Sequence, residues 1–173
     1  MKLEDMSREE LISLVQMYAK NWLAHDGCWF QAIERERGMD EAMYFDTEAW
    51  KRFSPIEAKR IMSEFNIPPN GGLDALEKAL NLRLYASINI QHSERAAPNK
   101  LIFVMDDCRV QTARRRKNMD DFPCKPVGIV EYSTFAETID LRIKTECIRC
   151  PPDPCPEGTG FCMWGFTIED ETS

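Results

Sequence analysis

The sequence predicts an α+β fold, with a helical N-terminal half (residues 7–86) packed on a small antiparallel sheet supplied by residues 87–170. Three observations predict it. Apolar residues recur at helical spacing through the first half. Strand-length apolar runs and two-residue alternation replace them after residue 87. The chain then closes with two strand-like segments around a proline-rich, cysteine-bearing loop. The absence of repeats, heptads and low-complexity linkers makes residues 1–173 one expected domain.

Ser7 with Glu10 forms a capping box ahead of Leu11, Leu14, Val15, Tyr18 and Trp22, so a first helix starts there, and Gly27 is placed to end it. Cys28 to Arg37 reads as a second helix stopped by Gly38, and Asp40 to Phe53 as a third. Ser54-Pro55-Ile56-Glu57 is a second capping box, with proline at the first helical position, and predicts a new helix start. Pro68 to Gly72 forces a turn, after which Leu73, Leu76, Leu80 and Leu84 continue at helical spacing to about Ala86. Ser87 to Glu94 and Leu101 to Met105 form the first strands, joined through Ala96-Ala97-Pro98-Asn99. The basic run Arg109 to Lys117 and the segment Val127 to Ile139 are helical. Arg142 to Arg149 and Phe161 to Glu169 are the last two strands, forming a cysteine-bearing hairpin around Pro151 to Gly158.

Composition bounds the function. Of 173 residues, 43% are hydrophobic and 29% charged, enough for a packed core. Lysine and arginine number 22 against 29 acidic residues, a net charge of −7, which argues against a nucleic-acid-binding chain. The start MKLEDMSREEL has no apolar signal core, and no apolar stretch approaches the roughly 18 residues of a membrane span. A cytoplasmic protein that binds neither membrane nor nucleic acid is expected, with a small-molecule ligand and self-association into a homo-oligomer as its partnerships. No GxGxxG, GxxxxGKS, GxSxG or HExxH motif is present.

The cysteines carry most of the chemical signal. Seven in a chain without a secretion signal point to thiols or metal ligands and away from a disulfide framework. Cys147-x2-Cys150-x4-Cys155-x6-Cys162 has the closely spaced pair of a thiolate knuckle. Soft thiolates favour zinc first and an iron–sulfur cluster second. By strand phase, Cys162, Trp164, Phe166 and Ile168 point inward, and Cys147 can face Cys162 across the hairpin. The plainer alternative makes Cys147 and Cys162 small core hydrophobes and Cys150 and Cys155 loop thiols. Cys124, beside Lys125 and just ahead of a helix, occupies a setting that makes a thiol available as nucleophile or ligand, or serves as a buried turn residue. Cys28 and Cys108 read as packing.

Two further residues could move protons. His25 precedes Asp26 near a predicted helix end, where the helix dipole is a sufficient structural reason for it. Glu131 lies two turns beyond Cys124 on a face otherwise apolar, so it is either solvated or paired. Arg109 and Arg142 are the candidate partners, and a buried Glu–Arg pair would line a ligand pocket. Arg114-Arg115-Arg116-Lys117 can grip an anion or form a solvated helix face.

The segments YAKNWLAHDGCWF, FSPIEAKRIM, DDCRVQTARRRK, DFPCKPVGIVEYSTFAETID and IKTECIRCPPDPCP…FCMWGF resemble, from about Leu11 to Ile168, a family of uncharacterised prokaryotic cytosolic proteins (a domain of unknown function). That family is similar to L-2-amino-thiazoline-4-carboxylic acid hydrolase-like proteins and, in shape, to the 4-vinyl reductase domain. The second likeness implies a small-molecule-binding α+β module ending in a cysteine-bearing hairpin. It carries no catalytic residues to positions here, since fold kinship does not transfer function. Three functional expectations result. The first is a small-molecule- or metal-binding protein with zinc on Cys147, Cys150, Cys155 and Cys162, Cys124 standing in for one of them. The second is a hydrolase of a C–N bond in a small cyclic or amide substrate, with Cys124 or a metal-bound water attacking and Glu131 or His25 moving protons. The third is a thiol redox protein cycling Cys147–Cys150.

Overall fold

A computed structural model describes residues 2–156 and 158–168; Glu157 of the predicted loop and Glu169 at the end of the predicted last strand lie outside the described residues. The described chain is α+β. Helices α1 (Arg8–Arg37), α2 (Met39–Glu64) and α3 (Gly72–Leu80) precede strands β1 (Ile90–Ala97) and β2 (Lys100–Asp107). Helices α4 (Arg109–Arg116) and α5 (Lys125–Ile139) follow, then β3 (Ile143–Arg149) and β4 (Cys162–Ile168). Short 3-10 turns occupy Leu3–Asp5 and Leu84–Ser87. None of the described helices is long and apolar enough to cross a membrane.

The Ser7 capping box forms: the Glu10 N–H donates to Ser7 Oγ at 3.2 Å and the Ser7 N–H to the Glu10 carboxylate at 2.8 Å. Gly27 does not end α1, which runs on to Gly38, where φ of +88° takes the chain out of the helix. A glycine inside a helix costs only about 1 kcal/mol relative to alanine. Continuation lets Phe30 pack on Phe122, ring centroids 4.8 Å apart, and Glu34 pair with Arg114 at 2.7 Å. Ser54-Pro55 likewise starts no helix, because α2 passes straight through Pro55. The continuous helix buries Trp50, Ser54, Glu57, Ala58 and Ile61 on successive turns, and α2 packs along α5 over much of its length. That burial outweighs the roughly 3 kcal/mol penalty of an internal proline. The predicted helix over Leu73 to Ala86 instead stops at Leu80 and re-forms as the Leu84–Ser87 turn.

The sheet is antiparallel in the order β1-β2-β4-β3. Pro98 and Asn99 make the β1–β2 turn, with Ala97 paired to Lys100. Leu101, Phe103 and Met105 of β2 and Cys162, Trp164 and Phe166 of β4 join the core beneath Tyr132, Phe135 and Ile139 of α5. The register differs from the expected one at the hairpin. Cys147 stands opposite Trp164 and Cys162 opposite Met105, and a shift between Cys147 and Arg149 displaces the pairing beyond. A second cluster around Trp50, Phe122 and Val127 ties α2 to α5.

Candidate functional site: a cavity between a charged pair and a thiol cluster

A cavity of about 350 Å³ lies among α1, α2, the Leu84–Ser87 turn, α4, α5 and the inner ends of β2 and β4. Its walls are apolar, with Leu23, Phe30, Trp50, Val110, Phe122 and Val127. Exposed Lys20, Arg109 and Lys117 stand where it meets solvent. Helix α5 and its N-cap residue supply one wall through Cys124, Gly128 and Glu131, which helical geometry aligns at i, i+4 and i+7. Gly128 is required there. A Cβ at this position would lie 2.7 Å from the Trp164 ring.

The polar end of the cavity is lined by Asp26, Asp46 and Glu131, and behind Glu131 stands Arg83, which is 3% exposed. Its Nε donates to Glu57 Oε2 at 2.8 Å, and its Nη2 lies 2.7 Å from Glu131 Oε1 in an ion pair. The guanidinium also sits over Phe135, Tyr85, Tyr132 and Trp50 at 4.7–5.6 Å from the ring centroids. Burial alone would favour neutral Arg83, but Glu131 and Glu57 hold its pKa above the ordinary value. Burial pushes Glu131 up, with Arg83 opposing. Asp46 is pushed up to about 7 by burial first, then by the negative charges of Asp26 and Glu131, against a hydrogen bond from Trp50. Asp26 is raised by burial, with His25 opposing. Acidic groups therefore outnumber cations at this end.

Glu131 thus has a buried arginine partner, but neither of the two expected. Arg142 is occupied with Asp140 (Nη2 to Oδ2, 2.6 Å) at the end of α5, and Arg109 is an exposed residue of the cavity. Arg83 escapes a sequence reading because it sits between Leu82 and Leu84. Its signal is its spacing, three residues beyond Leu80 and seven beyond Leu76, on the buried side of the leucine stripe. His25 is exposed, and its neighbour Asp26 faces the cavity instead.

The thiols assemble around Cys150, which is 1% exposed. Cys124 Sγ lies 3.4 Å from Cys150 Sγ. Hydrogen bonding to Cys124 first, and then to Cys162, pushes the Cys150 thiol up, and the same contact from Cys150 holds Cys162 below its ordinary value. Gln111, itself buried, donates to Phe122 O at 2.8 Å and to Cys124 Sγ at 3.6 Å, and accepts from the Phe122 N–H. Cys155 turns away, its Sγ 3.0 Å from Phe161 O. Burial raises Cys147 and Cys155, and raises Cys108 to about 12. Of the four thiols expected to converge, Cys150 and Cys162 meet, joined by Cys124. Among the described residues, no group of three or more His, Cys, Asp or Glu side chains is arranged to hold a metal ion. Cys124, Cys162 and Cys108 line the cavity, whereas Cys150 stands behind its wall.

Residues 4–168 match the model of a family of unknown function, DUF6125, and the chain belongs to that family. No curated protein matches the sequence. Among solved structures, the chain is similar to a trafficking protein particle complex subunit 3 from Naegleria fowleri, a crystal structure with palmitic acid covalently bound. Identity is 9%, coverage 94% of this chain and 98% of that one, and the TM-score 0.49.

Proposed function

We propose that the protein binds an apolar small molecule in this cavity, with a polar group of the ligand directed at Glu131, which Arg83 holds from behind. One observation carries the reading: an apolar cavity of about 350 Å³ ends on Glu131, the cavity-facing member of a buried charged cluster. Volumes of roughly 300–1,000 Å³, mostly apolar walls and a few convergent polar groups are the usual anatomy of small-molecule sites. Burying Arg83, Glu57 and Glu131 together is costly, and Glu131 is the member of the group that lines the cavity, where a ligand group could meet it. Binding is favoured over C–N bond hydrolysis by the neighbours of Cys124. They are the Gln111 amide and the Cys150 thiol, neither of which is a general base.

The test uses 8-anilinonaphthalene-1-sulfonate, whose rings probe the apolar walls while its sulfonate stays at the cationic rim, away from the acidic Glu131 end. Wild-type protein should bind one equivalent with enhanced emission. Ala113→Trp fills the cavity from α4 and should weaken binding about tenfold or more, with the circular dichroism spectrum unchanged. Equal binding by the variant, or none by the wild type, would overturn the reading.

A further inference from the structure

Cys124 precedes the first turn of α5 and Cys150 follows the last residue of β3, so 25 residues, the helix, a short turn and the strand, separate them in sequence. Two contacts fasten these chain positions together. The Lys125 N–H donates to Pro151 O at 3.0 Å, joining the backbones one residue beyond each cysteine. Lys125 Nζ grips both Asp153 oxygens at 2.8 and 3.0 Å, while Asp153 Oδ2 accepts from the Cys150 N–H at 3.2 Å. The turn carrying Cys150 is thereby pinned to the N-terminus of the helix carrying Cys124, and the sulfurs are held 3.4 Å apart. A separation so close to contact leaves about 1.4 Å to travel to a disulfide bond length.

Access is unequal. Cys124 faces the cavity and is half-buried, whereas Cys150 lies behind the wall at 1% exposure. An oxidant entering the cavity reaches Cys124 before Cys150, and the thiol waiting beside Cys124 is Cys150. That is the arrangement of an attacking and a resolving cysteine.

We propose that Cys124 and Cys150 form a reversible dithiol–disulfide couple whose oxidants are hydroperoxides small enough to enter the cavity. The Cys124 sulfur attacks the distal oxygen of the hydroperoxide; the O–O bond breaks, Cys124 becomes a sulfenic acid, and the hydroperoxide leaves as an alcohol, or as water when it is hydrogen peroxide. Cys150 sulfur then attacks the sulfenic sulfur, the S–S bond forms, and the hydroxyl leaves with the Cys150 proton as water. A dithiol reductant returns both thiols and is itself oxidised to a disulfide. The pair differs from the Cys147–Cys150 couple that the CxxC spacing suggests, because the fold brings Cys124 and not a CxxC partner against Cys150. The couple does not depend on a bound ligand.

The test treats the full chain with a small excess of hydrogen peroxide, alkylates the remaining thiols, digests without reductant and identifies linked peptides by mass spectrometry. A Cys124–Cys150 link, the loss of two of the seven titratable thiols and full recovery with dithiothreitol are expected. In Cys150→Ser, Cys124 should stop at the sulfenic acid and react with dimedone. Cys124→Ser, altered at a half-buried position, provides a second readout if Cys150→Ser does not fold, and should retain all its remaining thiols under the same treatment. Lys125→Met breaks the Asp153 clamp at a partly exposed position and should slow disulfide formation severalfold with little change in melting temperature. No intramolecular link, or a link that leaves Cys124 as a free thiol, would overturn the proposal.

Discussion

Arg83 divides one guanidinium between two carboxylates, Glu57 and Glu131, and its side chain is almost fully withdrawn from water. Replacing it removes the single cation from a buried group of acids. Arg83→Met should therefore cost roughly 3–5 kcal/mol of stability, read from urea unfolding. Glu131→Gln keeps a hydrogen-bond acceptor and leaves Arg83 paired with Glu57, so it should cost less. Asp46 makes a prediction of opposite sign. Its folded-state pKa of about 7 lies above the ordinary carboxylate value, so between about pH 4 and pH 7 the folded state holds a proton that the unfolded state has released. Stability conferred on the protonated form is fully present below that window and is lost as pH rises through it. Asp46→Asn keeps the acceptor for Trp50 without the charge. It should be more stable than wild type by roughly 1–3 kcal/mol at about pH 8 and nearly equal to it at about pH 4, and urea unfolding at the two pH values checks this. Glu131 was legible only as solvated or paired, because a charge on an otherwise apolar helix face leaves those two outcomes, and the fold takes the paired one. Its partner was not, because a helix continued through Ala86 says nothing of where the Arg83 side chain runs once the helix stops at Leu80.

At the scale of elements, the two glycines that border the cavity make opposite predictions. Gly27 lies inside α1 with room for a Cβ, whose nearest heavy atom, Gln31 Nε2 at 3.9 Å, would be an ordinary van der Waals contact. Gly27→Ala should stabilise by about 0.5–1 kcal/mol through helix propensity. Gly128 lies under Trp164, where a methyl group would overlap the indole at 2.7 Å. Gly128→Ala should destabilise by about 1–3 kcal/mol and alter Trp164 emission. Thermal unfolding of the two variants side by side measures both. Local signals misplaced helix ends for a related reason. Gly27 and Ser54-Pro55 have the chemistry of termini, but what continues past them is tertiary packing: Phe30 on Phe122, and Trp50 to Ile61 along α5. Strands suffered less, because alternation reports burial directly; the inward phase of Cys162, Trp164 and Phe166 matches their burial.

For the molecule as a whole, the α+β architecture was legible because the change of hydrophobic period after residue 87 is a property of the chain itself. The cavity was not, since it is assembled from residues spread from Lys20 to Cys162 and no spacing rule joins them. The thiol cluster falls between the two: the candidates were visible, but which sulfurs meet is decided by how α5 docks beside β3. Leu11, Val15, Tyr18 and Trp29 of α1 remain exposed, a second apolar surface to which a dye could adhere. The measurement that separates the cavity from that surface is amide chemical-shift mapping of the protein titrated with 8-anilinonaphthalene-1-sulfonate. Cavity binding predicts saturable shifts at Tyr85, Ala113, Gly128 and Glu131, with Leu11 to Tyr18 unmoved. Shifts confined to Leu11–Tyr18, with the cavity amides unchanged, would contradict it.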